Sequence, residues 1–403
     1  MALNAITFNI QEGGLGRAIP GQDYFTGMVF FPATYPTGFS NTDKIKKIFT
    51  VEQAESLGIT EALYPLEYYH ISEYFRILSR TGGTGVLWLY LGDVVGAESF
   101  DGTQITAIQN FADGTLRQVG VYTDEVFASS LVTDANTAVE ALIAENKPLI
   151  AILAADFSAV TDLTTLSDIR ALDKNYVGLV LSQDGSGTGK ALYDTLGKTI
   201  SSLGATMGAI ASASVHLNIG WVASFDISDS FEYQEPAYGN GELVKDKSNS
   251  EINAINDLGY ITIVKRQGVS GAYHLDAPLT VSATSDFAFI GNARTIQKEI
   301  RLIRERLLPF INAPLYVDAT SGKLTESTIF QLESAVLLAL NQMAVDGEIQ
   351  VDEATQKLPV NTVVIDPDQN VIVTSKVNIV VKTVPVGVQR KIEVNIGFVP
   401  KLG

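Results

Sequence analysis

The chain has 403 residues, 46% of them hydrophobic and 18% charged, so it carries enough apolar material for two or three globular domains and is too apolar for a disordered chain. A formal net charge of -17 argues against general nucleic-acid binding and against docking on anionic lipid. Cysteine is absent, which removes disulfides, thiolate nucleophiles and Cys-ligated metals from consideration.

Residues 2–10 alternate, with Ile6, Phe8 and Ile10 on one face and Ala5, Thr7 and Asn9 on the other, and are expected to form a half-buried strand. A Gly-rich loop (Gly13, Gly14, Gly16, Pro20, Gly21) follows, and a strand is predicted over Tyr24–Phe31. Helices are predicted near Val51–Leu57 and over Leu66–Leu78, then a strand over Gly85–Leu91. From about residue 105, apolar strands (Arg117–Tyr122, Pro148–Ala154, Tyr176–Ser182, Gly220–Phe225) alternate with helices (Ala135–Asn146, Asp162–Ala171, Gly189–Leu203, Gly204–Ala213), the pattern of parallel βαβ units. Residues 226–258 read as a loop-rich connection.

The last third begins with strands at Gly259–Arg266 and Ala272–Ala277. A helix near Ala293–Leu308 carries Ile296, Ile300, Ile303 and Leu307 as an apolar stripe and is expected to stop at Pro309. A second helix, Glu326–Val345, has Thr325 or Ser327 as N-cap and Gly347 as its stop. Strands are expected at Asn361–Ile365 and Val371–Val381. The chain ends in an alternating segment with Ile392, Val394, Ile396 and Phe398 on one face. Burying those four side chains does not exceed the entropy of ordering the nine residues 391–399, so such an arm binds only where several engage at once.

Motifs for chemistry fail on inspection. Asp184-Gly-Ser-Gly-Thr-Gly-Lys-Ala191 sits between a strand and a helix like a phosphate loop. Asp184, however, replaces its leading Gly, and Ala191 replaces the hydroxyl that would hold Mg²⁺. Gly187 stands where a nucleophile elbow needs Ser. Asp366–Asn370 imitates the start of a calcium loop, but Val371 and Val377 replace its Gly and Glu, and a β-turn is the better reading. His70, His216 and His274 are scattered. No catalytic, cofactor or metal residue is expected, and no membrane span. The basic residues Arg294, Lys298 and Arg301 fall opposite the isoleucine stripe, where a solvated face paired at i,i+4 competes with a docking face for an acidic partner. The N-terminus lacks the pattern of a secretory signal.

One ordered series of segments carries a resemblance: Gly259-Tyr-Ile-Thr-Ile-Val-Lys-Arg, Asp286-Phe-Ala-Phe-Ile to Arg294-Thr295, the basic helix, Pro314-Leu-Tyr-Val, Gly322-Lys-Leu-Thr, the second helix, Gly347-Glu-Ile and the alternating end. With Ser214-Val-His-Leu-Asn-Ile-Gly-Trp-Val222, and more loosely Tyr64–Leu91, it resembles the contractile tail sheath proteins of myophages and related injection systems. The resemblance implies an α/β and α+β chain: an inner α+β domain with terminal β-strand arms, and an outer α/β domain with βαβ units. The expected divisions are 1–22 (arm and linker), 23–104 (N-terminal part of the outer region), 105–255 (outer domain), 256–382 (inner domain) and 383–403 (C-terminal arm). It further implies stacked hexameric rings around an inner tail tube, contraction without cofactor or nucleotide, and partners comprising further copies of the chain, the tube, baseplate and tail terminator proteins. Nucleic acid and membrane are not among those partners. The expected location is a virion tail or injection particle assembled in the bacterial host cytoplasm. Ile6, Phe8, Ile10, Ile392, Val394, Ile396 and Phe398 become inter-subunit arm residues, and Arg294, Lys298 and Arg301 a tube-facing set. Two alternatives stay open: a non-contractile tail, baseplate or surface-layer assembly protein, and a nucleotide-binding α/β enzyme.

Overall fold

The computed structural model describes residues 22–80, 85–94 and 96–394. The N-terminal arm residues Ile6, Phe8 and Ile10, and Ile396 and Phe398 at the other end, lie outside them.

A six-stranded sheet of order β2-β3-β1-β4-β5-β6 organises the first two thirds. It is built from β1 (Thr26–Phe30), β2 (Ile45–Ile48), β3 (Leu87–Leu91), β4 (Gln118–Val126), β5 (Ile150–Asp156) and β6 (Val177–Val180). All neighbours are parallel except the edge strand β2, which runs antiparallel to β3. Strands of both residues 23–104 and residues 105–255 enter this one sheet.

Helices α1 (Val51–Ser56), α2 (Pro65–Ser79), α3 (Thr103–Phe111), α4 (Ser129–Ala144), α5 (Thr188–Leu196) and α6 (Leu203–Ser212) surround the sheet. Met28, Phe30, Leu87, Leu89, Ile150 and Ile152 pack with α2 and α6 on one side. Val29, Trp88, Val119, Val121, Ala151 and Leu153 pack with α3 and α4 on the other. Strands buried on both faces read as continuous apolar runs, which is why they were visible in the sequence. Residues 203–211 of α6 are all buried. Gly204 and Gly208 bring α6 against α2, because a Cβ at Gly204 would overlap the His70 carbonyl and one at Gly208 would lie 2.8 Å from that of Tyr74.

Small elements complete this part: β7 (Ser182–Asp184) with β8 (Pro236–Tyr238), α7 (Asn249–Asp257), and β9 (Ile263–Val264) with β10 (Tyr273–His274). The C-terminal part contains α8 (Ile290–Leu307), α9 (Glu326–Val345), β11 (Val363–Val364), α10 (Val371–Thr374) and β12 (Val380–Val381). Val336, Leu340 and Met343 of α9 meet Leu302, Ile303 and Leu307 of α8. Thr325 Oγ1 accepts from Thr328 N at 3.3 Å as the expected N-cap, and Gly347, at φ +72°, follows the helix end.

Several local expectations are corrected. Residues 162–171 form two 3₁₀ turns rather than a helix, because Asp162 and Asp168 cap the Thr164 and Arg170 amides and restart the chain. Residues 220–225 are consecutive turns in which the Ser224 and Phe225 amides both bond to the Trp221 carbonyl. The β-branched run Val371–Val381 gives α10 and then two strand residues. Gln369 bonds to both the amide and the carbonyl of Asn378, which folds the segment back on itself. The stretch 226–258 contains β8 and α7, the latter held by a Ser248–Glu251 capping box.

Candidate assembly site

The phosphate-loop imitation is filled from within. The Asp184 carboxylate accepts from Ser186 N (3.0 Å) and Gly187 N (2.9 Å), and the Glu232 carboxylate from Thr188 N (3.0 Å) and Thr188 Oγ1 (2.6 Å). Two side-chain carboxyl groups therefore cap the N-terminus of α5, the place a phosphate would take. Burial, and then a hydrogen bond with Asp184, push the Glu232 carboxyl up to about 7. Lys190, the lysine of the imitation, pairs with Asp194 at 2.5 Å.

Two of the three histidines, His70 and His274, are core groups. His70 Nδ1 accepts from Gly204 N at 3.3 Å while its ring stacks near Phe30, and His274 Nε2 lies 3.0 Å from Thr206 Oγ1. Burial lowers both to about 3, so they are neutral. Among the described residues no group of three or more His, Asp or Glu side chains is placed to hold a metal ion.

The basic residues of α8 do not form an outward face. Arg294 is 4% exposed and donates to the carbonyls of Ala213 and Asp23, both at 3.1 Å. Lys298 bridges Asp23 Oδ2 and Glu348 Oε1, each at 2.7 Å, and Arg301 reaches Asp23 Oδ1 at 2.6 Å. Gln297 donates to the Leu149 carbonyl at the start of β5, and Glu299 accepts from Thr383. Burial alone would raise the Asp23 pKa, but Arg301 and Lys298 outweigh it and hold the carboxyl below its ordinary range. Burial raises Glu348 against the pull of Lys298. Arg117 and Arg294 are lowered to about 9 and about 10 by burial in the same neighbourhood.

A helical wheel puts the cations opposite Ile296, Ile300, Ile303 and Leu307 but cannot say which side faces protein. Here both sides do: Ile303 and Leu307 meet α9, the cations meet Asp23 and Glu348, and Ile300 is 44% exposed between them. Helix α8 thus joins the root of the N-terminal segment, the sheet and the C-terminal part. The acids Asp23 and Glu348 are far apart in sequence and carried no pattern that could pair them with α8. On the following turn, Arg304 and Arg306 have no ion pair among the described residues. They border a groove of about 420 Å³ with Ile300 and Leu338.

Beyond β12 the chain becomes a strap. The Gln350 amide donates to the Val384 carbonyl at 2.9 Å and Ile349 bridges Pro385, which fixes the start of the strap beside Glu348. Arg390 then crosses to the first part of the molecule. Its Nε lies 2.7 Å from Asp276 Oδ2, and its guanidinium sits 3.4 Å from the Phe289 ring centroid. The arm residues Ile392 and Val394 are 70% and 71% exposed and are in no strand. Of the seven predicted arm side chains these two are described, and neither pairs with residues 371–381.

Exposed apolar surface is concentrated in this part. Among the described residues, 16 of the 24 exposed large apolar side chains lie between residues 300 and 394. Helix α9 is long and apolar enough to cross a membrane by length and composition. One side packs on α8, and the other leaves Phe330, Leu338 and Val345 in solvent.

Comparison with known proteins adds the architecture of the whole. A subunit of the contracted helical sheath of the anti-feeding prophage superposes with a TM-score of 0.62 at 13% identity, covering 98% of this chain and 99% of that one. A chain of the six-fold symmetrised baseplate of the same particle gives 0.57 at 12%, again over 98% and 99%. No functionally curated sequence matches. At these identities the likeness is one of fold, and it spans both parts of the molecule. Residues 3–278 match the DUF2586 N-terminal domain and residues 286–403 the DUF2586 C-terminal domain. The chain therefore belongs to the DUF2586 family, and its fold is like that of the anti-feeding prophage sheath subunit.

Proposed function

We propose that the chain is a structural subunit of a contractile sheath: it polymerises as stacked hexameric rings around an inner tail tube and contracts to drive the tube through a target cell envelope. The observation that supports this most is the crowding of exposed apolar side chains into residues 300–394, on a chain whose fold matches a helical sheath from end to end. A soluble monomer rarely leaves so much apolar surface on one part, and copies of the chain are the natural cover for it. The net charge of -17 opposes association of free chains, so polymerisation awaits a template such as the tube or a baseplate. Residues 2–10 and 391–399 act as arms that add strands to neighbouring subunits, through Ile6, Phe8, Ile10, Ile392, Val394, Ile396 and Phe398. With Arg294, Lys298 and Arg301 committed inside the subunit, the α8 cations available to the tube are Arg304 and Arg306. The tail terminator closes the far end. The particle assembles in the host cytoplasm, and the subunit needs no cofactor.

A baseplate subunit is the second reading, favoured by the likeness to the baseplate chain. A nucleotide enzyme finds no support, since carboxylates occupy the one helix start resembling a phosphate site. Negative-stain microscopy of the chain expressed with its tube separates these readings. Wide hollow helical tubes are expected, and deleting residues 388–403 should abolish them while leaving the fold intact. Ordinary tubes formed by the truncated chain would sink the arm mechanism. Discrete rings that never elongate would favour the baseplate.

A further inference from the structure

We infer that Arg390 is a positioning anchor that fixes where the C-terminal arm leaves the subunit, so that assembly has to order only the residues beyond it. This rests on the reading of residues 391–399 as an inter-subunit arm and adds how that arm is aimed.

Three observations converge. After β12 the strap is tied at its start by Thr383 Oγ1 to Glu299 and by the Gln350–Val384 and Ile349–Pro385 contacts, and further on by Arg390. Between them, Val386 to Gln389 line one wall of a groove of about 870 Å³ whose other wall includes His216, Trp221 and Asn253. Without Arg390 nothing described would hold the strap to that wall. The receptor is also prepared in advance. Asp276 is buried, and its Oδ1 accepts from Asn218 Nδ2 (2.6 Å) and from Ala277 N (2.8 Å), which leaves Oδ2 for Arg390. Finally, the anchor leaves the apolar face of the arm on display, because Ile392 and Val394, directly beyond it, are both largely exposed.

A contact that stored the arm would bury those side chains. This one holds the peptide root and leaves the apolar face free. Fixing the root removes part of the ordering cost that otherwise falls on association, which is preorganisation. The guanidinium suits the task because its plane lies over Phe289 while its Nε bonds to Asp276.

The chain has no cysteine, so a nitroxide on Gln389→Cys reports strap motion in the isolated subunit. With Arg390→Ala the label's rotational correlation time, read well below the thermal midpoint, should fall at least about threefold, and with Arg390→Lys by an intermediate amount. In the unlabelled chain, Arg390→Ala should raise the protein concentration needed for tube formation several-fold, with tubes of normal appearance once formed. Unchanged label mobility, or an unchanged or lowered threshold, overturns the anchor. If the wild-type chain forms no tubes, the proposed function fails instead, and the label experiment alone still decides the anchor.

Discussion

Replacing Asp23 by Asn removes one carboxylate from a site where two acids, Asp23 and Glu348, face Arg117, Arg294, Lys298 and Arg301. Shape is kept and the Arg294 bond to the Asp23 backbone carbonyl survives, so the loss is electrostatic. Breaking one partner out of a fully buried pair costs about 3–5 kcal/mol. The Asp23 side chain is 20% exposed, which scales the expectation to about 2–3 kcal/mol. For a cooperative unit of 403 residues that corresponds to a fall of about 2–4 °C in Tm. The pH dependence comes from the depressed carboxyl: its stabilisation is present above the unfolded-state pKa near 3.8 and is lost as pH falls through the lower folded value. Thermal and urea unfolding at pH 7 should therefore show the full gap between wild type and Asp23→Asn, and the gap should close below about pH 4. A double-mutant cycle with Arg301→Gln should return a coupling above about 1 kcal/mol. A gap under about 0.5 kcal/mol at pH 7, or one that grows on acidification, would refute the reasoning.

Glu232→Gln tests the raised Glu232 carboxyl. A carboxyl raised to about 7 stabilises the fold fully below about pH 4.5 and loses that contribution as pH rises through 7. The variant should thus be more stable than wild type at pH 8 by about 1–3 kcal/mol, with a flatter stability profile between pH 5 and 8, read by urea titration. An equal or larger loss with rising pH in the variant would count against it. Gly204→Ala presses a methyl group onto the His70 carbonyl between two buried helices and should cost at least about 2 kcal/mol. Gly197→Ala is the control, since that glycine's Cβ position is open and its φ of +66° makes it a test of backbone strain alone. Equal losses at both positions would mean that the α2–α6 approach is not tight.

The parallel sheet was legible because its strands are apolar runs bounded by turn residues, as in Ile150–Ala155. The amphipathic helices α8 and α9 were legible from their stripes, caps and stops. The edge strand β2 escaped because Ile45-Lys-Lys-Ile48 has too few apolar residues to signal a strand, and an edge position asks for nothing more. Helix α3, with buried Gln104 and Gln109 bonding to backbone, hid its core face behind polar side chains. At the assembly site the sequence placed the cations on one face of α8, yet their partners Asp23 and Glu348 lie 275 and 50 residues away. Amphipathicity shows that a face is charged, and only tertiary structure shows whether that charge is spent. Arg390 carried no signal either, since its partners Asp276 and Phe289 sit in a segment without periodicity.

The attachments at the two ends of the strap divide any load placed on it. A pull on residues beyond 391 enters first at Arg390 and passes to Asp276 and Phe289, which flank the joint between the two DUF2586 domains. What Arg390 does not bear reaches the Ile349–Pro385 bridge, one residue from Glu348 and hence coupled through Lys298 to α8. Traction from a neighbour would therefore be applied on both sides of the same helix, one end of the load path at the domain joint and the other at the root of the first 22 residues. In a lattice where every subunit tugs on the next, α8 acts as a crossbar, and a change in the direction of pull becomes a torque on the joint rather than a stretch of the arm.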